Sequence, residues 1–175
     1  VDKLAKAVLE VWLPGTEGGH AIIDVLTGKI NPSGKLPVSF PYCVGQIPVY
    51  YNHLSTGRKD FSECGDHFRS RYIDIPNEPL YPFGYGLSYT KFEISSVELN
   101  NTKLSVGENI TASVIVKNVG EYAGAETLQL YIQDVTASVT RPVKELKGFR
   151  KIYLEKGESR KVSFEVNEEM LRFVR

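Results

Sequence analysis

From residue 91 to residue 166 the apolar residues recur at every second position. Ile110, Ala112, Val114 and Val116 point one way, and Thr111, Ser113 and Lys117 the other. Leu128, Leu130 and Ile132 repeat the pattern, as do Val162, Phe164 and Val166. Side chains on a strand alternate between its two faces, so this period belongs to half-buried strands and not to helices. Turn residues separate the runs at Val106-Gly107-Glu108, at Asn118 to Gly124 and at Lys156-Gly157-Glu158. Short alternating strands at this spacing predict an antiparallel β-sandwich, which has about seven strands. Five or six are readable before Arg175, and Glu168 to Val174 read as the lead-in to another.

The first 42 residues have a different grammar. Ala7 to Leu13 is an apolar run that predicts a buried strand. It breaks at Pro14-Gly15, and Thr16, Glu17 and Gly18-Gly19 lead into a helical pattern from His20 to Leu26. The helix stops at Gly28, Asn31-Pro32-Ser33-Gly34 make a turn, and Leu36 to Phe40 predicts a second strand closed by Pro41. Strand, glycine-rich turn, helix, turn, strand is the pattern of an open α/β sheet. One helix and two strands cannot cover both faces of a sheet, so the unit needs partners from outside these residues.

Residues 43–90 are rich in Gly, Pro, Asn, Ser and Tyr and show little periodicity. A stretch of this length without elements of its own is usually functional or held against something else. Short extended pieces are expected at Ile47 to Tyr51 and at Arg71 to Ile75. Both cysteines, Cys43 and Cys64, lie here. Bridged, they would close a loop of about twenty residues worth ~3 kcal/mol in the chain-entropy model; the alternative is two free, packed thiols. Two cysteines and three histidines at these spacings do not make a zinc site.

Lys plus Arg equals Asp plus Glu at 21 each, so the formal net charge is zero. That balance points away from nucleic acid and anionic membranes. No apolar run approaches the ~20 residues that span a bilayer. The basic run Arg141, Lys144, Lys147, Arg150 and Lys151 is interleaved with Glu145 and Glu155 and reads as a solvated strand face. Asn100-Asn101-Thr102 and Asn109-Ile110-Thr111 match the N-glycosylation pattern, which matters only in a eukaryotic secretory protein.

Four blocks carry a resemblance. WLPGTEGGHAIIDVLTGKINPSGKLPVSFP, Trp12 to Pro41, resembles the end of the α/β-sandwich domain of glycoside hydrolase family 3, the β-glucosidases and β-xylosidases. PLYPFGYGLSYTKF, Pro79 to Phe92, agrees with it. Val114 to Asp134 and Thr140 to Val166 resemble the fibronectin type III-like domain that closes many members. Gly45 to Arg58 resembles bacterial three-domain β-glucosidases of the periplasmic type. The resemblance implies an α/β fragment (1–42), a loop-rich connector (43–90) and an incomplete, immunoglobulin-like β-sandwich of the fibronectin type III kind (91–175). It also implies a carbohydrate substrate for the parent enzyme, a periplasmic or secreted location, and an N-terminal barrel and upstream α/β domain as partners. No cofactor is implied.

Retaining glycosidases use two carboxyl groups ~5–5.5 Å apart. In the family one belongs to the barrel and the other to an earlier part of the α/β domain. Neither motif occurs here, so no catalytic residue is assigned. Glu17, at a strand end beside Trp12, reads either as a sugar-hydroxyl acceptor or as a carboxylate stabilised at a helix start. Tyr50, Tyr51, Asn52, His53 and Arg58 form a polar, aromatic cluster suited to substrate contact or to docking on another domain. No nucleophile elbow, P-loop or dinucleotide fingerprint accompanies these residues.

Overall fold

The computed structural model describes residues 2–55 and 71–173. Arg58, Cys64 and His67 therefore lie outside the described residues.

The β-sandwich forms as the alternation predicts. Its longest strands are β3 (Asn109–Asn118), β4 (Gly124–Ile132), β5 (Glu145–Leu154) and β6 (Ser159–Asn167). Two short strands, β1 (Phe92–Ile94) and β2 (Glu98–Leu99), precede them. β3 is the centre of one antiparallel sheet, with β1 and β2 sharing one edge and β6 on the other. β4 and β5 pair antiparallel in the second sheet, with a register shift between Leu130 and Tyr131.

Val116, Leu128, Ile152, Leu154 and Val162 form the buried core, and Phe92, Val114 and Phe164 pack against it. Burying side chains of this size is worth ~1.5–3 kcal/mol each. Ile152 and Leu154 come from the strand read as a solvated basic face. That reading holds for one face only: Phe149, Lys151 and Tyr153 are exposed, while Ile152 and Leu154 point into the core. Ser113 shows the converse. It belongs to the polar set of β3, yet it is buried, with its hydroxyl 2.9 Å from that of Ser163 on β6.

Fully buried Asn118 locks one end of the sandwich. Its amide donates to the carbonyls of Tyr122 and Leu154, and its Oδ1 accepts from the Thr90 hydroxyl and Gly120 N–H. A buried polar group needs all its partners, and Asn118 has four. After β6 the chain turns into a short helix, α2 (Glu168–Leu171), not an extended lead-in. Asn167 caps it by accepting from Met170 N–H, and Glu168 and Glu169 favour its N-terminal end.

In the first 42 residues the helix is present as α1 (Gly18–Leu26), but neither predicted strand is. Ala7 to Leu13 forms no regular element and pairs with no strand among the described residues, and Leu13 is 99% exposed. A strand needs a neighbour to satisfy its backbone, and the described residues offer this segment none. Leu36 to Phe40 instead runs beside residues 81–85. Phe40 and Tyr81 exchange backbone hydrogen bonds (2.7 and 3.2 Å), Leu36 N–H donates to Tyr85 O, and Gly84 N–H donates to Leu36 O.

The connector also forms no strand at Ile47 to Tyr51 or Arg71 to Ile75. It is organised by Gln46, 1% exposed, which accepts from Tyr42 N–H and donates to the carbonyls of Pro76, Asn77 and Glu78. Cys43 is an exposed free thiol.

Candidate functional site

The candidate residues separate into three places. Glu17 takes the N-cap position of α1 but makes no side-chain cap; its carboxylate meets His20 Nδ1 at 2.8 Å, with both side chains in solvent. The carboxylate thus sits at the helix start, but it takes no backbone N–H of α1.

Trp12 opens a run of aromatic rings. It stands edge-on to Phe40 (5.8 Å between centroids), Phe40 is edge-on to Tyr81 (6.4 Å), and Tyr81 stacks on Tyr85 (5.1 Å). Trp12 adopts φ 52°, a left-handed conformation that is an outlier for a bulky residue, and Glu10 accepts from its N–H at 2.9 Å. The Tyr81 hydroxyl donates to Asp2, and that bond to a carboxylate raises the phenol's pKa.

Tyr51 belongs to the interior of the joint between connector and sandwich. Its ring stacks on Phe83 at 4.3 Å and meets Tyr131 of β4 edge-on at 5.9 Å. Its hydroxyl accepts from Leu146 N–H on β5 at 3.3 Å. Burial, and after it the neighbouring Tyr51, pushes the Tyr131 phenol up. The Tyr131 hydroxyl donates to Gln129 Oε1, and Gln129 Nε2 donates to Gly84 O at 3.5 Å. Asn52 is exposed, and His53 offers its carbonyl to Val143 N–H. The loop cluster is thus brought together with the sandwich, while Trp12 and Glu17 stand elsewhere.

The sequence reading missed the residues that hold this joint. Lys35 lies 2.8 Å from Glu126 of β4 and also donates to Gly86 O at 2.9 Å. Asn31 donates to Ala123 O and accepts from the Ser88 hydroxyl and Tyr89 N–H. Gly86 is required where the chains touch, because a Cβ there would lie 2.2 Å from Gly34 O. The signals that marked this place were the Asn31-Pro32-Ser33-Gly34 turn and the Pro79 to Phe92 block. Among the described residues no group of three or more His, Cys, Asp or Glu is arranged to hold a metal ion.

A model of the glycosyl hydrolase family 3 C-terminal domain matches residues 1–89. The chain belongs to glycosyl hydrolase family 3. A model of the fibronectin type III-like domain matches residues 126–175, in the sandwich. Several relatives match almost the whole of this chain. The periplasmic β-glucosidase of Salmonella typhimurium is 57% identical over 98% of this chain and 22% of its own length. The putative β-xylosidase of Formosa agariphila is 42% identical over 99% of this chain and 22% of its own length. The crystal structure of Listeria innocua β-glucosidase in complex with gluconolactone superposes with a TM-score of 0.91 at 52% identity, over 97% of this chain and 23% of that one. The chain thus spans between a fifth and a quarter of the length of these relatives. No helix among the described residues is long and apolar enough to cross a membrane.

Proposed function

We propose that this chain is the non-catalytic C-terminal portion of a family 3 β-glucosidase, and that the whole enzyme releases a terminal β-linked glucose, or xylose, with retention. The named activities of the relatives support the sugar and the linkage. One observation supports the place of this portion against the rest of the enzyme. Residues 2–47 hold an apolar surface in solvent: Leu4 is 93% exposed, Val8, Ile23, Leu26 and Val44 are exposed, and α1 buries no residue. Apolar surface of this extent marks an interaction face. Its occupants in this reading are the upstream α/β portion and the barrel, which carry the two carboxyl groups.

Within that assembly, 1–42 completes the α/β domain, 43–90 is the connector, and 91–175 is the sandwich that braces it. Trp12 is a docking contact, Glu17 supports the helix start, and Tyr51 fastens the connector to β4 and β5. Asn52 and Arg58 remain candidates for contact with the other domains or with sugar. A periplasmic or secreted location follows the Salmonella relative.

The test is direct. The purified chain hydrolyses neither nitrophenyl β-glucoside nor nitrophenyl β-xyloside above buffer. In the whole enzyme Glu17→Gln retains measurable turnover, whereas loss of an acid/base or nucleophile removes several orders of magnitude. Multiple turnover by the chain alone, abolished by Glu17→Gln, would overturn the reading. So would azide rescue of Glu17→Gly in the whole enzyme.

A second reading, a carbohydrate-binding sandwich, has one observation in its favour. Phe149 and Tyr153 are exposed aromatics on the outer face of β5. Calorimetric titration with cello-oligosaccharides separates the two: saturable heat lost in Phe149→Ala and Tyr153→Ala supports binding.

A further inference from the structure

We draw no further inference here: the strongest candidate, the side-chain cluster of Arg141, Glu145 and Lys147 at the start of β5, leaves Nε and Nη1 of the shielded Arg141 guanidinium without a hydrogen-bond partner, but nothing among the described residues shows what completes or covers it.

Discussion

The Lys35 ammonium sits 2.8 Å from the Glu126 carboxylate, and the two side chains are only 16% and 14% exposed. The pair joins the turn after α1 to the first part of β4. Removing one partner strands the other charge in a shielded place. A fully buried pair costs ~3–5 kcal/mol when broken, and partial solvent access lowers that to about 2–3 kcal/mol here. Lys35→Met and Glu126→Leu should each lower unfolding free energy by about that amount, and the double variant by less than the sum. Denaturant melts of the four proteins measure the coupling; strict additivity would show that the pair contributes nothing.

Neighbouring residues on β3 should respond oppositely to charge. Val114 packs against the core and pairs with Val162, while Ile115 is half exposed. Val114→Asp should cost several kcal/mol, enough to unfold a marginal domain, because an unpaired charge is placed between the sheets. Ile115→Asp should stay within about 1 kcal/mol of the parent chain. Circular dichroism melts distinguish them, and equal effects would mean a register shifted by one residue.

Gly86 has no room for a side chain. A Cβ there would meet the backbone carbonyl of Gly34, which cannot rotate away, whereas a Cβ on Gly15 would meet nothing within 4 Å. Gly86→Ala should destabilise by about 1–3 kcal/mol, the range for overpacking. Gly15→Ala should be near neutral or slightly stabilising. Differential scanning calorimetry of both variants decides between local crowding and a general need for glycine.

Acid should weaken the β5–β6 turn through Glu158. Its carboxylate accepts from Glu155 N–H and, at 2.6 Å, from Arg160, and these bonds hold its pKa below the ordinary 4.5. The unfolded chain therefore binds the proton at higher pH than the folded one. The stabilisation is present above the unfolded pKa and is lost as pH falls through the folded value. Glu158→Gln should flatten the decline of melting temperature below pH 4.5. An unchanged acid limb would remove Glu158 from the account.

Amides of Ala7 to Leu13 should exchange fast. The segment has no strand partner and its apolar side chains are in solvent. Mass-spectrometric exchange of the isolated chain should show these residues deuterated at the earliest time points, ahead of β3 and β6. Strong protection there would mean that self-association covers them.

Alternation alone determined the sandwich. Period two names the strands, and the inward sets around Val116, Leu128 and Val162 follow from it, because a pleated strand has no other way to bury its apolar residues. The helix after Gly18-Gly19 was equally legible, since its signals are local. What the tertiary structure decided was pairing. Ala7 to Leu13 is as apolar as a buried strand but meets no edge among the described residues. Leu36 to Phe40 takes residues 81–85 as its partner in place of a sheet. Ile152 and Leu154 enter the core only because β5 lies over β6, a fact that the lysines beside them conceal. The joint built on Tyr51, Lys35, Glu126 and Asn31 was invisible for the same reason. Its bonds connect residues far apart in the chain, and no spacing rule records which distant backbone will arrive beside them.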